Sequence, residues 1–232
     1  GASSTELTAI RSSYEWQNHS GEERALRFAS TSLQFRFEGQ WFVLGTSTYS
    51  TSSLMQFAEF WDTGALTDIL LFVNGTSSIN QWNGAVTRLS TTTGSTITKI
   101  GTTTWANEGF ATSGTQQIVL AGQVFTYTSD GSSTTLTGVT PSPTSSAIVA
   151  NDMVHQNPAI TQNSSITTLP DTYNNDLIEV LNNQIYIGSL TRRDVYISKQ
   201  NSLTDFSNSS PRTPTEGATL YLDAAPKGFV VQ

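Results

Sequence analysis

One phrase recurs along this chain: an apolar run, a tight-turn pair, a second alternating run, then a Ser/Thr-rich stretch. It reads LQFRFEGQWFVLG at 33–45, ILLFVNGTSSINQWNG at 69–84, QIVLAGQVFTYTSDG at 117–131 and LIEVLNNQIYIG at 177–188. Phe35 and Phe37 alternate before Glu38-Gly39, and Trp41 and Val43 alternate after it. Alternation with a period of two on both sides of a Gly or Asn turn specifies a hairpin with one buried face. A hairpin copied at long intervals specifies an all-β fold built from a repeated unit, because each copy needs a neighbour to cover its apolar face. The spacing is compatible with propeller repeats of about 40–50 residues per four-stranded blade. The fold expected is therefore all-β, made of antiparallel blades of a β-propeller, either incomplete or a fragment of a longer chain.

Further strands are expected at 95–101 (STITKIG), 133–139 (STTLTGV) and 194–199 (DVYISK), and the ambiguous SLMQFAEFW at 53–61 is read as strand. Pro141, Pro143, Pro158 and Pro170 break 140–175 into short extended pieces and forbid a long helix there. Residues 1–30 are rich in charge, and the reading is a helical turn, capped by Ser20 through Glu23, or a polar loop. A fifth unit is read from ATLYLDAAPKGFVVQ, with Leu220, Leu222, Phe229 and Val231, and it is unfinished where the sequence stops. Two parts follow: 1–65, an N-terminal segment with the first hairpin and an adaptor role, and 66–232, consecutive propeller-type blades.

Composition narrows the function. Charged residues are 12% of the 232, apolar residues 36%, and the net charge is −7. An acidic surface repels phosphate backbones and anionic lipid, so neither a nucleic-acid nor a membrane partner is expected. No run approaches the ~20 apolar residues of a membrane span, and GASSTELTAI lacks the pattern of an uncleaved signal peptide. With no cysteine, disulfides and thiolate chemistry are excluded.

Two stretches resemble a blade found in large structural proteins of tailed bacteriophages: TTTWANEGFATSGTQQIVLAGQVFTYTSDGSSTTLTGVTPSPT at 102–144 and the segment 175–232. The residues that carry the resemblance are Trp105, Gly109, Phe110, Tyr127, Leu136, Tyr186, Tyr196, Phe206, Pro211 and Gly217, and it covers most of 66–232. It implies a virion component located in the tail or near it, partnered by other virion proteins and by copies of itself in a ring. Family members continue past the point where this sequence ends.

No catalytic, cofactor-binding or metal residue is assigned, and no cofactor is expected. The two histidines, His19 and His155, lie far apart in sequence, and no GxSxG elbow is present. Carboxylate pairs that could serve a glycosidase are Asp62 with Asp68, Asp171 with Asp176, and Asp194 with Asp205, yet Asp beside Gly, Asn or Thr ordinarily serves turns. SDGSS at 129–133 hints at the turn of sialidase-like blades without its closing aromatic, and DTYNND at 171–176 offers oxygen atoms suited to calcium. Arg192-Arg193 reads as a solvated hairpin loop. Of the five tryptophans, Trp41, Trp61, Trp82 and Trp105 fall in apolar-patterned elements and are expected in the core, whereas Trp16 is expected at the surface. Acceptor-type sequons at Asn18, Asn74, Asn163 and Asn208 are chance products of a Ser/Thr-rich chain. The expectation is a non-enzymatic virion component; the competing classes are a host-surface carbohydrate-binding module and a propeller glycosidase.

Overall fold

Among the described residues, eighteen strands are formed, because alternation and turn chemistry agree at nearly every hairpin. They are β1 (Ile10–Gln17), β2 (Glu23–Ala29), β3 (Ser32–Phe37), β4 (Gln40–Val43), β5 (Gln56–Asp62), β6 (Thr67–Val73), β7 (Ile79–Trp82), β8 (Val86–Thr93) and β9 (Thr96–Lys99). A 3-10 turn at Ala106–Glu108 follows, then β10 (Gln116–Leu120), β11 (Gln123–Tyr127), β12 (Thr135–Leu136), β13 (Met153–Asn157), β14 (Thr161–Asn163), β15 (Leu177–Leu181), β16 (Gln184–Gly188), β17 (Asp194–Ile197) and β18 (Ala218–Tyr221). The computed structural model describes residues 10–17, 21, 23–37, 39–44, 49, 52–64, 67–75, 79–128, 131–144, 146–157, 174–207 and 215–229, and the backbone of 161–163. All strand pairs among them are antiparallel.

The chain divides into two compact units, one formed by 1–81 with 161–232 and the other by 82–160. The first holds three four-stranded sheets, ordered β1-β2-β3-β4, β14-β7-β6-β5 and β15-β16-β17-β18. They are stacked through aromatic and aliphatic faces. Tyr14 of the first sheet stacks on Phe57 of the second with ring centroids 5.1 Å apart, and Tyr49 meets both Phe28 and Phe72 edge-on. Ala58, Phe60, Ile69, Leu71, Val73 and Ile79 of the second sheet share a core with Ile178, Ile185, Ile187 and Tyr196 of the third. Asn183, in the left-handed turn between β15 and β16 (φ 56), accepts from the Trp61 backbone N–H at 3.1 Å and donates to the Trp61 carbonyl at 2.7 Å, which fixes β5 against that turn.

The second unit is one six-stranded sheet, ordered β11-β10-β13-β8-β9-β12, curled into a half-barrel. Thr126 of β11 and Thr140, just beyond β12, exchange backbone hydrogen bonds of 2.7 and 2.9 Å, so its two ends meet. Its interior contains Leu89, Ile97, Trp105, Phe110, Ile118, Leu120, Phe125, Tyr127, Leu136 and Val154. Proline-punctuated 140–175 thus supplies β13 to the middle of this sheet and β14 to the edge of another.

Three expectations are corrected. Residues 10–17 and 23–29 pair as β1 and β2 rather than lying in a polar loop, because Tyr14 and Trp16 face Leu26 and Arg24 across the pair and the face they share is packed; the helical turn expected from Ser20 to Glu23 falls mostly outside the described residues. Ser20 is outside the described residues. Ala218–Tyr221 does not begin a fifth unit: β18 pairs with β17 as the fourth strand of the third sheet, with Val195 opposite Leu220. Trp16 is 1% exposed, while Trp41 is 37% exposed. Strand alternation decides both, because Trp16 falls on the packed face of β1 and Trp41 on the solvent face of β4.

Candidate functional site

The carboxylates proposed from sequence do not act as pairs: Asp62 and Asp68 fall on opposite faces of the β5–β6 hairpin, where Asp68 Oδ2 is buried without a hydrogen-bond partner, and Asp62, Asp176, Asp194 and Asp205 are held by bonds of their own. Asp62 accepts from the Gly64 N–H at 2.8 Å. Asp176 accepts from the Ser189 hydroxyl at 3.1 Å and the Leu190 N–H at 2.9 Å. Asp194 is gripped by both arms of the Arg192 guanidinium, at 3.1 and 3.0 Å, and accepts from the Tyr196 hydroxyl at 3.1 Å. Burial raises the Asp194 pKa, but the bonds from Arg192, its own backbone and Tyr196 outweigh that and hold it below the usual range. Burial and the same carboxylate push Tyr196 up to about 12. Asp205 is tied to Lys199 at 2.8 Å and to the Ser207 hydroxyl at 2.6 Å, which bring its pKa down to about 2. Arg192 and Arg193 lie in the loop between β16 and β17, Arg193 exposed and Arg192 41% exposed in its ion pair with Asp194.

Asp171 and the SDGSS aspartate, Asp130, lie outside the described residues, as do His19, Asn18, Asn208 and Pro211. Nothing is described of the Asn163 side chain. Asn74 is fully buried, with its amide nitrogen donating to the Ser53 carbonyl at 3.0 Å, so it is sealed from modification. Among the described residues, no cluster of three His, Cys, Asp or Glu side chains is arranged to hold a metal ion.

His155 lies on β13, between β10 and β8, and its Nδ1–H donates to the Gln156 carbonyl at 2.9 Å. Burial lowers its pKa, and the bond to the carbonyl opposes this only in part. The unfolded chain protonates this ring near pH 6.5, the folded chain only at lower pH. Stability is therefore full above about pH 6.5 and falls as the pH drops towards the folded pKa. In urea titrations between about pH 7.5 and 5, His155→Gln is expected to flatten this part of the profile. An unchanged profile in the variant would contradict the assignment.

Of the residues that carry the resemblance, Trp105, Gly109, Tyr127 and Gly217 are held by packing, hydrogen bonds or close backbone approach. Trp105, fully buried, donates its indole N–H to the Thr134 carbonyl at 2.9 Å and meets Phe110 edge-on at 4.8 Å. Gly109 takes the left-handed conformation (φ 85) that ends the 3-10 turn, and a Cβ there would lie 3.3 Å from the Asn83 carbonyl. The Tyr127 hydroxyl donates to the Ala111 carbonyl at 2.7 Å, and burial raises its pKa to about 12. A Cβ on Gly217 would lie 2.6 Å from the Ser207 carbonyl, so only glycine fits.

Two features escaped the sequence reading. The first is Lys99, fully buried on β9, whose ammonium spends its three donors on the Ile100 carbonyl (3.0 Å), the Thr103 hydroxyl (2.9 Å) and the Glu108 carboxylate (2.6 Å). A lysine flanked by Thr and Ile carries no signal of burial. The second is a pair of exposed surfaces. The outer strand β18 presents Leu220 and Tyr221 at 39% and 82% exposure, and Leu222, just past its end, is 38% exposed. On the first sheet, a cleft of about 520 Å³ is lined by Glu15, Trp16, Gln17, Glu23, Arg24, Ala25, Arg36 and Gly39. No family model matches the chain, and no curated protein or solved structure is significantly similar to it.

Proposed function

We propose that this chain is a non-enzymatic structural component of a tailed-phage virion, in the tail or close to it, that assembles with other virion proteins and with copies of itself in a ring. The three stacked four-stranded sheets are read as blades of a β-propeller. One observation carries the assembly reading: β18 is the outer strand of its sheet among the described strands, and its Leu220 and Tyr221, with Leu222 just past its end, are three consecutive exposed apolar side chains. An outer strand with exposed apolar side chains is a surface that a strand or segment from another chain can dock on, and natural proteins blunt such edges unless they are used. Asp194, Asp205, Asp176 and Asp62 are committed to local bonds, which further favours scaffold over hydrolase.

The test is self-association measured by mass photometry and sedimentation, with the double variant Leu220→Lys/Tyr221→Lys. Two like charges on the edge repel a docking strand, and association is expected to weaken at least about tenfold. Thermal stability should move little, since both side chains are exposed. An assembly indifferent to the two lysines, or a wild-type chain that never associates with itself or with virion proteins, would overturn the reading.

A further inference from the structure

We propose that the solvent face of the first sheet is a binding site for a neutral oligosaccharide. The site goes beyond the assembly reading and does not depend on it. Strand alternation turns Ser13, Glu15 and Gln17 of β1, Glu23, Ala25 and Arg27 of β2, Gln34 and Arg36 of β3, and Trp41 and Val43 of β4 to one face. Tyr14, Trp16, Leu26, Phe28, Leu33, Phe35 and Phe42 turn to the other face, against the second sheet.

The pairing register explains why a cleft exists there. Glu15 is opposite Ala25, and Arg36 is opposite Trp41. Continuing the β2–β3 register one step past Leu26–Phe35 sets Ala25 beside Arg36. Ala25 is thus the one short side chain in a row of long ones, and it forms a floor walled by Glu15, Gln17, Glu23 and Arg36. Trp16 and Arg24 border the cleft as the strand segments between these residues, their own side chains being buried on the far face, where Arg24 lies over Phe37 at 5.2 Å. At about 520 Å³ the cleft falls in the roughly 300–1,000 Å³ range of small-molecule sites.

Trp41 supplies a platform at the end of this row. It reaches across β3 to Arg27, whose guanidinium lies 4.1 Å from the ring centroid and whose Nε–H donates to Gln34 Oε1 at 2.7 Å. The cation–π contact on one face of the ring and the Arg27–Gln34 hydrogen bond favour one orientation of the indole, and Trp41 as a residue is 37% exposed. A pyranose presents a face of weakly positive C–H groups, which suits an aromatic π surface. Its rim of hydroxyls both donates and accepts, which suits the neighbouring mixture of Arg donors, Glu acceptors and Gln side chains that do both.

Charge selects the ligand class. Glu15 and Glu23 balance Arg27 and Arg36 around the cleft and platform, so neither a polyanion nor a polycation is favoured. The chain's net charge of −7 further disfavours acidic ligands.

The experiment is an NMR titration of the 15N-indole-labelled chain with glucose-, galactose- and N-acetylglucosamine-based tetrasaccharides, each to about 10 mM, well above a millimolar Kd. The Trp41 resonance, assigned with Trp41→Phe, is expected to shift saturably with at least one of them, while the buried indoles of Trp16, Trp82 and Trp105 stay in place. Trp41→Ala and Arg36→Ala each weaken binding by about tenfold or more, and Arg193→Ala, on the third sheet's loop, leaves it unchanged. Trp41 and Arg36 are exposed, so both variants fold, which a thermal melt verifies. Repeating the titration on Leu220→Lys/Tyr221→Lys separates sugar binding from assembly. The proposal is overturned if no tetrasaccharide moves the Trp41 resonance, if binding survives both Trp41→Ala and Arg36→Ala unchanged, or if only an acidic sugar such as sialyllactose binds.

Discussion

Trp105→Ala is expected to destabilise the 82–160 unit by about 3–5 kcal/mol, the range for removing a large buried aromatic. Three losses coincide. The indole is fully buried among Ala85, Leu89, Phe110, Leu136 and their neighbours, so a cavity opens in the half-barrel interior. The edge-on contact with Phe110 at 4.8 Å disappears, and the Thr134 carbonyl loses one of its two donors, keeping the Lys99 N–H at 3.0 Å. Trp105→Phe retains much of the packing and gives up the hydrogen bond, so its cost is smaller, about 1–3 kcal/mol. Urea unfolding followed by amide-resolved hydrogen exchange reads this in the affected unit. A loss below about 1 kcal/mol for the alanine variant would show that Trp105 does not anchor this core.

Lys99→Met should cost about 3 kcal/mol, nearly as much, for an electrostatic reason. The ammonium is completely buried and all three of its donors are used, whereas Glu108 keeps 18% exposure. Removing the cation leaves that carboxylate with the Thr103 hydroxyl as its bonded partner and strands the Ile100 carbonyl. The partial exposure of Glu108 moderates the penalty relative to a wholly buried pair. Lys99→Met/Glu108→Leu removes both charges and is expected to recover most of the loss, because a desolvated ion pair contributes little net stability over apolar side chains of similar size. Measured as a double-mutant cycle, a double variant that is no more stable than Lys99→Met would contradict this account.

The strand pattern was legible where alternation is strong and the turn short. The four repeated hairpins became β3–β4, β6–β7, β10–β11 and β15–β16, and the ambiguous 53–61 segment contains β5. Partnering was not legible, because hydrogen bonds between distant strands leave no local mark. Val154 alternates like any buried strand residue, yet nothing in 140–175 says that β13 will insert between β10 and β8. The β1–β2 hairpin was obscured because Arg24 and Arg27 interrupt its apolar alternation, and the structure places them against Phe37 and Trp41 rather than in open water. Whether a tryptophan faces core or solvent depends on strand phase, and a slip of one residue inverts it, as Trp16 and Trp41 illustrate. Site chemistry was legible chiefly as turn chemistry: Asp62 and Asp205 bond backbone N–H groups two residues ahead. The exposed row of Glu15, Ala25, Arg36 and Trp41 required the register of four strands, which sequence spacing alone does not supply.

The most direct test of the assembly reading is cryo-electron microscopy of virus particles purified from the source of this chain. The account predicts density for its stacked four-stranded sheets in a symmetric ring at or near the tail, with a neighbouring subunit's segment seated along Leu220–Leu222. Particles that lack the chain, or a chain present with that edge facing solvent, would contradict it.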